Sequence, residues 1–137
     1  MMYKLVENPK KKPKKSVYTF EEVLYLLECK GKNKHRDYLE STCGVYLLLD
    51  KVTGSKYVGS ASKGFLARWE THIKELGGAT HLKKHLALFG FDDMLFCVEQ
   101  VVKDNSLVLG VEVLIKDKYK SINYNKYEDN PINLNNN

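Results

Sequence analysis

Residues 45–49 and 56–58 are two strand-like runs rich in valine, leucine and tyrosine, separated only by Asp50, Lys51, Val52, Thr53, Gly54 and Ser55. A link that short and that rich in turn residues predicts a β-hairpin. With an even number of loop residues, antiparallel pairing puts Tyr46 and Tyr57 on one face of the sheet, because side chains alternate with period two. Two phenols then face one place. Taken alone, two rings covering a core would be the simpler reading.

The flanking segments supply partners for such a hairpin. Thr19 and Glu22 have capping-box spacing, and Tyr18 and Val23 are placed for a hydrophobic staple. Phe20, Val23, Leu24 and Leu27 then recur at helical spacing, which predicts a helix over 20–30. Residues 31–36 are polar and basic and read as a loop leading into the first strand near Cys43. Beyond the hairpin, Leu66, Trp69, Ile73 and Leu76 form the apolar stripe of a helix ending before Gly77 and Gly78. Arg68 and His72 sit beside that stripe as an i, i+4 pair. Thr80 is placed to cap a helix running to Phe89 with Gly90 as its stop, and residues 95–102 read as a third strand. His81 and His85 read as helix-surface residues.

The helix expected over 106–120 carries Val108, Glu112, Ile115 and Tyr119 on one face. A carboxylate interrupts an apolar stripe. Burying that charge alone would cost several kcal/mol, so Glu112 needs a cation, a hydrogen-bond network or a wet cleft. A metal ion is one such partner, and a rim salt bridge to Lys116 is the plainer one.

At 137 residues and 43% apolar composition the chain supports one core and is too short for two ordinary domains. Its 22 Lys and Arg against 17 Asp and Glu give +5, which suits a polyanionic partner. Residues 1–40 hold 10 basic and 6 acidic side chains, so most of the excess lies at the N-terminus. Lys10, Lys11, Lys12, Lys14 and Lys15 surround Pro13 in a run that opposes regular structure. That arm reads either as a phosphate-binding tail or as a solubilising terminus. Cys29, Cys43 and Cys97 are an odd number without a Cys-x-x-Cys pair, so neither a disulfide framework nor a zinc site is supported. No segment approaches the roughly 18 apolar residues of a membrane span, and the first fifteen residues lack a signal-peptide core. The expectation is a soluble, cytoplasmic protein without a membrane partner.

Taken in order, Gly44-Val45-Tyr46, Tyr57-Val58-Gly59-Ser60, Arg68-Trp69 with His72, Glu112 and Asn123-Tyr124-Asn125 resemble the GIY-YIG nuclease superfamily over residues 43–125. Valine replaces isoleucine in both tripeptides, leaving the tyrosines and glycines in place. The run from Lys56 through His72 is most similar to the catalytic domains of phage intron homing endonucleases, which suggests a phage or mobile-element origin.

The resemblance implies an α+β fold, a small three-stranded antiparallel sheet flanked by helices, carrying here an N-terminal basic arm and helix. Residues 41–126 would be the nuclease domain, 1–40 an extension and 127–137 a loose, asparagine-rich tail. It implies a metal-dependent DNA endonuclease with one active site per chain that nicks its substrate. Glu112 would be the protein ligand to one Mg²⁺ or Mn²⁺, which a hard cation completing its shell with water and phosphate oxygen allows. Arg68 would hold the scissile phosphate. Tyr46, Tyr57 and His72 are the candidate water activators. Gly44 and Gly59 would support the site, with Gly59 allowing close backbone approach, and Asn125, favoured over Asn123, would tie the terminal segment to it. A non-catalytic nucleic-acid-binding or regulatory module of the same fold is the alternative. These residues are expected to hold no separate recognition domain of the homing kind, so specificity would come from residues 1–40, from dimerisation or from a protein partner, the expected state being a monomer or a homodimer.

Overall fold

The computed structural model describes residues 15–75, 80–123 and 134. The elements run β1 (Val17–Thr19), α1 (Phe20–Glu28), α2 (Lys34–Ser41), β2 (Gly44–Asp50), β3 (Lys56–Ala61), α3 (Phe65–Glu75), α4 (Thr80–Phe89), β4 (Met94–Val101), a 3₁₀ turn (Asn105–Leu107) and α5 (Val108–Asn123). The hairpin forms as its loop length requires. Leu49 pairs with Lys56, Leu48 with Tyr57 and Tyr46 with Gly59, so both tyrosines project from the same face. Asp50 closes the turn by accepting from the Val52 and Thr53 backbone N–H groups at 2.8 and 3.0 Å.

The sheet has four antiparallel strands rather than three, in the order β1-β4-β2-β3. The added strand comes from the N-terminal segment, where Val17, Tyr18 and Thr19 pair with Cys97, Phe96 and Leu95. Three residues are too few to show a period of two, so only the tertiary partner reveals this strand. Its end is the expected capping box. Glu22 N–H donates to Thr19 Oγ1 at 3.1 Å and Thr19 N–H to Glu22 Oε1 at 2.8 Å.

A second correction concerns residues 31–36, expected as a loop. Helix α2 begins at Lys34, and Asn33 caps it by accepting from the His35 and Arg36 N–H groups. This helix is polar apart from fully buried Leu39, so it lacks the apolar period that marks a helix in sequence.

The two faces of the sheet carry different cores. Tyr18, Tyr46, Leu48, Tyr57, Phe96 and Met94 face one cluster, completed by Val23 and Leu26 of α1, Leu39 of α2, Phe65, Leu66 and Trp69 of α3, and Leu82 and Leu86 of α4. Val45, Leu47, Val58 and Cys97 face the other, covered by Val111, Ile115 and Tyr119 of α5. Trp69 sits at the centre of the larger cluster with its ring against Tyr18, Tyr46, Phe65 and Phe96. Phe20 stacks on Phe91 at 5.2 Å, which binds the N-terminal helix into the same core.

Helix α4 ends at Gly90, whose φ of +70° suits glycine and whose N–H donates to Leu86 O at 2.8 Å. His85 of this helix is buried against Asp50, Nε2 to Oδ2 at 2.7 Å, and His81 is half-buried, so neither is the simple surface residue expected. Leu134 is also buried, and its N–H donates to Lys56 O at 2.6 Å. The asparagine-rich tail is thus tied to β3 at that residue. Among the described residues no helix is long and apolar enough to cross a membrane.

Candidate active site

A cavity of about 500 Å³ opens beside β3, the edge strand, between that strand, the loop after it, α3 and α5. Tyr57, Arg68 and Glu112 line it, one from each of three elements. Tyr57 is delivered by strand alternation and Arg68 by the flank of α3. Glu112 follows from the packing of α5. Val111, Ile115 and Tyr119 of that helix lie on the second core, which leaves Glu112 at the side of the stripe, its side chain 13% exposed, pointing into the cavity beside β3.

Tyr46 and His72 form the layer behind this wall. Neither has exposed surface, and Tyr46 Oη lies 2.5 Å from His72 Nε2. The His72 ring meets both tyrosine rings edge-on at 5.6 Å between centroids. His72 is therefore a core residue hydrogen-bonded to the site, whereas the sequence placed it beside the packed face. Arg68 donates to the phenol oxygens of both Tyr46 and Tyr57. The Tyr46 oxygen thus faces both the Arg68 guanidinium and His72 Nε2.

Burial pushes the Tyr46 phenol well above its ordinary range, with Tyr57 and Glu112 adding to the rise and Arg68 opposing it. Burial likewise raises Tyr57, while Arg68 lowers it and Glu112 raises it again. Both stay protonated near neutral pH. Glu112 Oε2 meets Lys116 Nζ at 2.5 Å, so the rim salt bridge and the inward direction hold together.

Two glycines are required by space. A Cβ on Gly59 would lie 2.4 Å from the Tyr46 Cζ and Oη atoms, so this glycine makes room for the phenol. One on Gly44 would lie 2.1 Å from Gln100 O and 2.9 Å from Phe65 Cζ. Beside Tyr46 the β2–β4 register shifts, with Val45 opposite Gln100 and Tyr46 opposite Val98, a bulge that re-aims the strand at the site.

The family model for the GIY-YIG catalytic domain matches residues 42–128. The chain belongs to the GIY-YIG family. Among solved structures it is similar to a mutant of the catalytic domain of intron endonuclease I-TevI, with a TM-score of 0.50 and 22% identity over 64% of this chain and 95% of that one. At that identity the likeness concerns the fold. No curated protein matches in sequence.

Tyr46, Tyr57, Arg68, His72, Glu112 and Gly59 are thus brought to one place by four elements, whereas Gly44 packs against Gln100 and Phe65. Asn125, Lys10, Lys11, Lys12 and Lys14 lie outside the described residues. Lys15 is described and engaged within the fold, paired with Glu22 at 3.1 Å and 5.3 Å above the Tyr18 ring. The sequence reading passed over Ser62, Lys63 and Thr71, which line the same cavity. Their signal was weak, since small polar residues and a lysine after a strand look like any turn.

Proposed function

We propose that this chain is a divalent-metal-dependent DNA endonuclease that hydrolyses one phosphodiester per encounter. The observation that carries the reading is the convergence of Tyr57, Arg68 and Glu112 on one cavity, backed by the buried Tyr46–His72 pair. Hydrolysis of a phosphodiester requires a placed water, a cation against the developing charge and relief of charge at the leaving oxygen. The guanidinium of Arg68 is always charged and forks toward two acceptors, which suits it to hold the scissile phosphate. Its bonds to the two phenols fix it before substrate arrives.

Of the three candidate water activators, Tyr57 is the one on the cavity wall. Tyr46 and His72, having no exposed surface, support it from behind. Tyr57 would orient the water through its phenol oxygen and, on taking the water's proton, pass its own hydroxyl proton to solvent in the open cavity. Arg68 already favours its phenolate, and the Glu112 carboxylate is the charge opposing it. Neutralising Glu112 therefore removes a charge that disfavours the Tyr57 phenolate.

Among the described residues no group of three or more His, Cys, Asp and Glu is placed to hold a metal ion. The donor set fits a cation held through Glu112, with water and phosphate oxygens completing its shell, as Mg²⁺ tolerates. When bound, Mg²⁺ or Mn²⁺ supplies positive charge at the leaving 3′ oxygen. Lys116 holds the same carboxylate through Oε2, which favours the second reading, a nucleic-acid-binding module without catalysis.

Supercoiled plasmid incubated with wild type and Glu112→Ala, in Mg²⁺, Mn²⁺ or EDTA, separates the two. The expected result is metal-dependent nicking, lost in Glu112→Ala while a gel shift still shows binding. Nicked circles should precede linear DNA, since each chain has one site. Binding without cleavage in any metal would decide for the module.

A further inference from the structure

Resting on the nuclease reading, we propose that Lys63 binds the DNA phosphate adjacent to the scissile one, so that the cavity holds two successive phosphates of one strand. The space is there. A cavity of about 500 Å³ is in the range that takes a whole small ligand, more than a single phosphodiester and its water occupy. Ser62, Lys63 and Thr71 line it together with Tyr57, Arg68 and Glu112.

Lys63 and Arg68 are the cations among the residues that line the cavity. Arg36, Lys74, Lys116 and Lys118 are each paired with a carboxylate, whereas Lys63 has no ion pair among the described residues and is exposed. It also stands on a pinned loop. Ser62 O accepts from Cys43 Sγ at 3.1 Å and from Asn105 Nδ2 at 3.5 Å. On the other side Gly64 has φ +108° and so little room that a Cβ would lie 2.4 Å from Glu40 O, and Phe65 N–H donates to Thr42 O at 3.1 Å. The backbone at 62–65 is thus fixed to α2, to its exit and to the 3₁₀ turn. Such fixing is more than a solvated turn needs, and it points an unneutralised ammonium at the rim of a site built for phosphate. A point charge of this kind takes a phosphate oxygen without reading a base.

The test uses the full chain and a DNA duplex. Binding is followed in EDTA over a range of KCl for wild type, Lys63→Ala, Lys63→Arg and the control Lys84→Ala, an exposed α4 lysine outside the cavity. Loss of one phosphate contact is expected to lower the slope of log Kd against log salt by about one. Lys63→Arg should restore it and Lys84→Ala leave it unchanged. In cleavage assays Lys63→Ala should raise KM by roughly three- to tenfold with kcat preserved, because a flanking phosphate is held equally in ground and transition states. One methylphosphonate beside the mapped cut should weaken wild type and cost Lys63→Ala nothing further. An unchanged slope, an equal loss in Lys84→Ala, or a fall in kcat would overturn the assignment. Failure of wild type to cleave would instead sink the nuclease reading, while the slopes still report on Lys63.

Discussion

Gly59→Ala probes the site through geometry alone, because it alters no functional group. The added carbon would stand 2.4 Å from Cζ and Oη of Tyr46 and 2.9 Å from Tyr57 Cε2. Ordinary carbon contacts lie near 3.5–4.0 Å, so the Tyr46 ring must retreat by roughly 1 Å or more. It has little room to do so. His72 is 2.5 Å behind its hydroxyl, Trp69 lies against its ring, and all three side chains are without exposed surface. Overpacking of this kind costs about 1–3 kcal/mol of stability. The larger consequence is kinetic. Tyr46 helps fix Arg68, and a displacement of about 1 Å in a positioned group lowers rates by roughly 10²-fold. We expect Gly59→Ala to remain folded, bind DNA and nick plasmid about 10²-fold more slowly under single-turnover conditions. Gly31→Ala, where a Cβ meets nothing within 4 Å, is the control. A Gly59→Ala protein that nicks within about threefold of wild type would refute the argument, since the wall behind Tyr57 would then tolerate movement.

Other substitutions test the frame. Trp69→Ala should cost about 3–5 kcal/mol in urea titration, as expected for emptying a fully buried aromatic site. Trp69→Phe should cost less than about 2 kcal/mol, because it also removes a buried Nε1–H with no partner among the described residues; equal costs would show that this donor is satisfied. For Asp50, burial opposes ionisation, but hydrogen bonds from Thr53 N–H, His85 and Val52 N–H outweigh it and hold the carboxyl below its ordinary range. A depressed folded value means that the carboxylate stabilises the fold above the unfolded value near pH 4 and that this is lost as pH falls through the folded value. The urea-midpoint gap between wild type and Asp50→Asn should thus be full near pH 6 and shrink below about pH 4, and a gap constant across that range would refute the assignment.

Much of this fold was legible because its signals are local. The capping box at Thr19 and Glu22, the even hairpin loop, the apolar stripe of α3 and the glycine stop at Gly90 are each set within a few residues, where sterics and hydrogen bonding act directly. Strand β1 and helix α2 were not legible, since three residues carry no period and a polar helix with one buried leucine shows no apolar face. Both are stabilised by what they touch.

For the site, the sequence by itself determined which side chains share a face. Period two placed Tyr46 with Tyr57, and helical spacing placed Arg68 with His72 and put Glu112 within an apolar stripe, to whose side the structure moves it. It did not determine depth. Only the packing of α3 against the sheet buried His72 and Tyr46 behind Tyr57. Only the position of α5 on the opposite face brought Glu112 into the cavity beside β3, and only the closeness of the Tyr46 ring gave Gly59 its reason. Depth depends on contacts between residues distant in the chain, which alternation and helical periodicity do not encode.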